Sequence, residues 1–132
     1  MFEQWQKWIP VENLSNKYYL KNIIDIQDFK IILSDMQNSK IEVFFENSVF
    51  SYKRSIGSFS EELINDISEK YGTEFIKNWT FFKVSNSEYI KWLSEQSLGI
   101  SIPYELKHFS FICSNCILDI ASTYEPEVRT IL

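Results

Sequence analysis

The sequence predicts an α+β fold in which an antiparallel sheet packs against two main helices. Three observations carry this reading. Apolar and polar residues alternate through four short segments between Tyr18 and Ile56. Serine stands three residues before glutamate at Ser58/Glu61 and Ser85/Glu88, the spacing of a capping box, each time at the head of an amphipathic run. The stretch WTFFKVSNSEYIKWLSEQSLGI, from Trp79 to Ile100, reads as a buried strand feeding directly into the second of those helices.

Taken in order, Phe2, Trp5, Trp8 and Ile9 sit at helical spacing ahead of Pro10, which biases Ile9 out of the α region; a short N-terminal helix is expected. Four strands follow, with Leu20, Ile24 and Ile26, then Phe29, Ile31 and Leu33, then Ile41, Val43 and Phe45, then Phe50, Tyr52 and Ile56. Polar breaks at Gln27-Asp28, Gln37-Asn38-Ser39 and Asn47-Ser48 join them into a four-strand antiparallel meander. Leu63, Ile64, Ile67 and Tyr71 share one face of the first main helix, which Gly72 closes. Residues 73 to 78 add a helical turn or two.

The central strand, residues 79 to 84, leads to the cap at Ser85, with Ser87 as the alternative. Tyr89, Trp92, Leu93 and Gln96 then recur at i, i+3, i+4 and i+7 before Gly99 ends the helix. Ser101 to Lys107 is a loop around Pro103. His108 to Cys113 and Ile117 to Ala121 are strands joined by a turn at Ser114-Asn115, and the tail around Pro126 is expected to lie across the surface. Trp79, Phe81, Trp92, Leu93 and Phe111 are the predicted core, with roughly 3–5 kcal/mol at stake in emptying Trp92.

A chain of 132 residues with three glycines, three prolines and no shift in composition suits a single domain over 1–132. Eleven Phe, seven Tyr and four Trp cannot all be interior, so some are expected to line a binding surface. The opening carries no cationic segment followed by an apolar run, and nothing approaches a membrane-spanning length; a cytoplasmic protein with no membrane role is expected. A net charge of −5 and a pI near 4.9 disfavour nucleic-acid binding and favour a basic partner.

No constellation calls for catalysis, a cofactor or a metal. Cys113 and Cys116 form a C-x-x-C, but a closed zinc site needs four ligands, and the chain adds only His108. A redox pair of the thioredoxin type would open a helix, whereas these flanks alternate like strands. Two structural thiols, neither catalytic nor metal-bound, are expected. His108 stands near no nucleophile elbow and is read as structural. Asp119, between Leu118 and Ile120, is assigned to the outward face of an edge strand, a satisfied buried acid being the alternative. There is no glycine-rich phosphate loop.

The acidic surface remains. Glu42 and Glu46 project from one face of the third strand with Phe44 between them, a pattern resembling an interface anchor with a charged rim. Phe44 is either that anchor or is covered by a helix on the second face of the sheet. Glu61, Glu62, Asp66 and Glu69 run along the first main helix, where the plain reading is a solvated face and the functional one an extension of the same site.

The tryptophan-rich opening, the FFKVSNSEYIKWLSEQS segment and the closing HFSF with its turn into LDIAS resemble the small cytosolic immunity proteins encoded beside bacterial polymorphic or contact-dependent growth inhibition toxins. The resemblance implies a non-enzymatic protein that binds a cognate toxin domain and masks its basic site with an acidic surface. It hands over no residue-by-residue site. The alternative is a small ligand-binding or regulatory domain whose aromatic excess lines a pocket.

Overall fold

The computed structural model describes residues 2–56, 58–96 and 105–131, the side chains of 58–60 excepted. Among these residues are strands β1 (Gln4–Lys7), β2 (Tyr19–Ile26), β3 (Asp28–Ser34), β4 (Lys40–Phe44), β5 (Val49–Ser55), β6 (Phe81–Ser85), β7 (Lys107–Ile112), β8 (Ile117–Ser122) and β9 (Glu127–Ile131). The helices are α1 (Ser58–Tyr71), α2 (Thr73–Lys77) and α3 (Glu88–Gln96). All strand pairings are antiparallel, in a five-stranded sheet ordered β1-β6-β7-β8-β5 and a four-stranded sheet ordered β2-β3-β4-β9. The α+β fold read from the pattern is the fold observed, with its strands divided between two sheets.

Alternation decides the layers. On the inner face of the five-stranded sheet, Phe81, Phe109, Phe111, Leu118 and Ile120 meet Ile31, Leu33, Ile41, Val43 and Phe45 from the other sheet. On its outer face Phe82, Val84, Ile112 and Ile117 pack against Ile67 of α1 and Ile76 of α2, while Tyr89 and Leu93 of α3 close on Ala121. Strands β7 and β8 are therefore covered on both sides, which is why every residue from His108 to Ile112 and from Ile117 to Ser122 is buried. Phe81, Phe82, Phe109 and Phe111 are all at most 1% exposed, each contributing on the order of 2–3 kcal/mol by leaving water. Much of the aromatic excess is thus spent inside the sandwich.

Four expectations about the framework are corrected. Residues 4 to 7 form an edge strand on β6, not a helix. Positions 5 and 8 are an odd number apart, so an extended chain sends Trp5 to the helical layer and Trp8 to the sandwich interior; a spacing of three fits either geometry. The meander keeps only three members, because β9 takes the free edge of β4, and β5 crosses to β8 in the other sheet. That same pairing removes the tail from the surface: Val128 points into the core and Glu127–Ile131 completes the ladder.

Trp92 is the fourth correction. It is 52% exposed, because only Tyr89 and Leu93 of its helical stripe reach the sheet. Trp79 lies just before β6, partly buried between the two larger clusters, and its Nε1–H donates to Trp8 O at 3.0 Å. Helix boundaries follow local chemistry. Gly72, at φ +94°, donates its N–H to Ser68 O at 2.8 Å and ends α1. The cap of α3 is Ser87, whose Oγ accepts the Ile90 N–H at 3.1 Å, so the alternative cap is the one used. The Ser58 side chain, Ser97, Gly99 and the loop at Pro103 lie outside the described residues.

Candidate functional site

Strand β4 does place Glu42 and Phe44 on one face, the outer face of the four-stranded sheet, but that face is not acidic. Register sets Lys30 opposite Phe44 and Arg129 opposite Glu42. Arg129 Nε donates to Glu42 Oε2 at 2.7 Å, and Lys30 Nζ lies 3.9 Å from Glu42 Oε1. The same two cations flank the Phe44 ring, with Lys30 Nζ at 5.8 Å and Arg129 Cζ at 4.9 Å from its centroid. Phe44 is therefore covered by cations, while the helices pack on the other sheet. With Lys30, Lys40 and Arg129 balancing Asp28, Glu42 and Glu127 on this face, it offers no net attraction to a basic partner.

Glu46 leaves that face. With φ +50° it turns the chain out of β4, and it stands exposed in the β4–β5 connection. There it lines a cleft of about 230 Å³ with Asp25 from the end of β2, Phe29, and Phe50 and Tyr52 of β5. Phe50 is 51% exposed and Tyr52 39%, and the Tyr52 ring rests 4.9 Å from that of buried Phe29. No ion pair among the described residues involves Asp25 or Glu46. Exposed Ile24 and Ile26 continue β2 beside it. Two unneutralised carboxylates and two half-exposed rings meet here because β5 crosses between sheets, a juxtaposition no local pattern announces. Alternating aromatics at Phe50 and Tyr52 are the available signal, but that alternation marks only a strand and not a site.

Glu61, Glu62, Asp66 and Glu69 are all exposed on α1, whose Leu63, Ile64, Ile67 and Tyr71 face the sheet. None enters an ion pair among the described residues. They belong to the helical layer on the far side of the five-stranded sheet from β4, so the structure does not gather them with Glu42 and Phe44.

A buried polar chain lies beneath α3. Ser87 Oγ is 2.7 Å from His108 Nδ1, and His108 Nε2 is 2.7 Å from Asp119 Oδ1, with all three residues at most 6% exposed. Asp119 is thus a satisfied buried acid on an internal strand, not an outward residue at an edge, since β8 has β7 and β5 on either side. A carboxylate only accepts, so His108 Nε2–H donates to Asp119, and in the neutral ring Nδ1 is then the acceptor of the Ser87 hydroxyl. The serine oxygen is committed to the helix cap. Ser87 and His108 also line a groove of about 1100 Å³ between α3 and strands β6 and β7, together with Lys83, Lys91, Lys107 and Glu125; Phe109 is its only phenylalanine, tyrosine or tryptophan among the described residues.

Cys113 and Cys116 are free, buried thiols at the mouth of the β7–β8 hairpin. Among the described residues no group of three or more histidine, cysteine or acidic side chains is placed to hold a metal ion. No described helix is long and apolar enough to cross a membrane. Compared with known proteins, the chain matches no family model, no curated protein and no solved structure.

Proposed function

We propose that this protein neutralises a basic toxin domain by direct contact, acting as an immunity protein in the cytoplasm of the cell it protects. The cleft carrying Asp25, Glu46, Phe50 and Tyr52 is the observation behind this reading. Carboxylates that form no ion pair among the described residues offer attraction to a basic surface, and half-exposed rings beside them can bury apolar area once the partner arrives. The exposed acids Glu61, Glu62, Asp66 and Glu69 add long-range attraction from the helical layer without belonging to the contact itself. The sequence resemblance to immunity proteins points the same way.

The alternative of an aromatic-lined ligand pocket has less behind it. The larger groove is lined mainly by charged and polar side chains, and much of the aromatic content packs ring against ring in the interior. The deciding experiment is co-expression with the toxin domain encoded beside this protein. Protection of the cells and recovery of a stoichiometric complex are expected. Cell death with no complex on mixing the purified components removes the immunity reading.

A further inference from the structure

The thiol pair has a geometry that its inert reading leaves unused. Ile112 and Ile117 are the last register pair of the β7–β8 ladder, and Cys113 N–H donates to Cys116 O at 2.9 Å just beyond it. The two cysteines therefore face each other across a two-residue turn as a hydrogen-bonded pair, for which a Cα separation of about 5.5 Å is usual and a disulfide needs roughly 4.4–6.8 Å. Both side chains enter the interior cluster, 7% and 5% exposed, with their sulfurs close enough to interact. Arg54, exposed on β5, places its guanidinium beside the Cys116 sulfur, whereas Lys17, near Cys113, spends its ammonium on the carbonyls of Ile76 and Trp79, each at 2.8 Å.

We infer that Cys116 and Cys113 form a peroxide-reactive modification site, in which the Cys116 sulfur attacks the peroxide first and Cys113 is the thiol that resolves the product to a disulfide. The Cys116 sulfur attacks one oxygen of hydrogen peroxide and the O–O bond breaks, giving a sulfenic acid and a hydroxide that takes up a proton. The Cys113 sulfur then attacks the sulfenic sulfur, loses its proton, and displaces the hydroxyl as water. Two thiols lose two electrons and two protons in total, and the peroxide is reduced by the same two electrons.

The asymmetry between the sulfurs assigns the roles. The hydrogen bond from Cys113, supported by the Arg54 guanidinium, lowers Cys116 to about 6, against the opposing effect of burial. That same hydrogen bond, reinforced by burial, pushes Cys113 up. The turn between them also joins the sheets: Ser114 N–H donates to Tyr18 O at 2.9 Å, and the Asn115 side chain pairs with both backbone groups of Leu20. A disulfide here stiffens the joint between β2 and the hairpin.

The test uses the whole reduced protein and hydrogen peroxide. Intact mass should fall by two hydrogens, with one peptide linking Cys113 to Cys116, and the Cys113→Ser variant should trap a dimedone adduct on Cys116. In wild type, iodoacetamide should alkylate Cys116 first, with a pH midpoint near 6 that Arg54→Gln moves upward. Retention of both thiols under peroxide in a protein that stays folded overturns the inference. So does a dimedone adduct on Cys113 in Cys116→Ser with none on Cys116 in Cys113→Ser.

Discussion

Arg129 and Glu42 close across the β4–β9 ladder at 2.7 Å, and the same guanidinium covers the Phe44 ring. The pair neutralises the acid that the sequence singled out and shields the aromatic beside it. Arg129→Ala should lower stability by only about 1 kcal/mol, since the arginine is half exposed and such pairs are screened. Glu42→Lys and Phe44→Ala should leave the toxin association rate within about twofold of wild type. Urea unfolding and surface-binding kinetics read the two effects separately.

Trp92 and Phe81 separate surface from core. Phe81 is fully buried and touches Trp8, Tyr18, Trp79 and Phe111 ring to ring, so Phe81→Ala should cost about 3–5 kcal/mol. Trp92→Ala removes a ring that is 52% exposed and should cost no more than about 1 kcal/mol. Equal shifts in the thermal midpoints of the two variants would contradict this placement.

Sequence patterns recovered what local periodicity controls and missed what pairing controls. Strands β2 to β8 and the three helices are visible because their apolar residues recur at strand or helix spacing. β1 and β9 are not, since an edge strand of four or five residues takes its conformation from the ladder it joins, and Gln4–Lys7 and Glu127–Ile131 each bury one large side chain inside the strand. Asp119 reads as an outward residue because a strand with both faces covered has no outward side, and only the fold reveals His108 beside it. The cleft is half legible: the charge of Glu46 marks it in the sequence, but Asp25, Phe50 and Tyr52 come to it through the sheet crossing.

Ser87, His108 and Asp119 should behave as one structural unit. Asp119→Ala leaves the Nε2–H of a buried histidine without its acceptor, at a cost of about 2–3 kcal/mol, and Ser87→Ala forfeits the α3 cap for about 1 kcal/mol. Because they share His108, the double variant should be less destabilised than the sum of the singles. Strict additivity in urea melts would mean that the chain of hydrogen bonds is not energetically connected.

Asp35 makes acid sensitivity specific. Its Oδ2 accepts the Ser15 hydroxyl at 2.6 Å, and its Oδ1 accepts the N–H groups of Ser39 and Gln37 at 2.9 Å each. The Ser15 bond above all, then that from Ser39, holds its carboxyl below the ordinary 3.8. A group depressed in the folded state contributes stability that is fully present above its unfolded pKa and is lost as pH falls through the folded one. Asp35→Asn should therefore be less stable than wild type at neutral pH, with the gap closing progressively below pH 3.8. A gap that stays constant into that range would remove Asp35 from the acid transition.

The cleft prediction separates encounter from retention. Asp25 and Glu46 are surface carboxylates that form no ion pair among the described residues, so they act at a distance and are screened by salt, whereas Phe50 and Tyr52 act only on contact. Asp25→Lys with Glu46→Lys should slow association with the toxin domain and flatten its dependence on ionic strength, leaving dissociation nearly unchanged. Phe50→Ala should leave association alone and speed dissociation; a hot-spot loss of about 2 kcal/mol corresponds to roughly thirtyfold. Tyr52→Ala costs stability as well, because its ring packs on Phe29, so Tyr52→Phe is the cleaner probe of the hydroxyl. Charge reversal on α1, at Glu62 and Asp66, should reduce the association rate less than reversal in the cleft, since those acids only add to the long-range field. If the α1 reversals instead raise the dissociation rate and the cleft variants change nothing, the partner sits on the helical layer and the cleft is not its site.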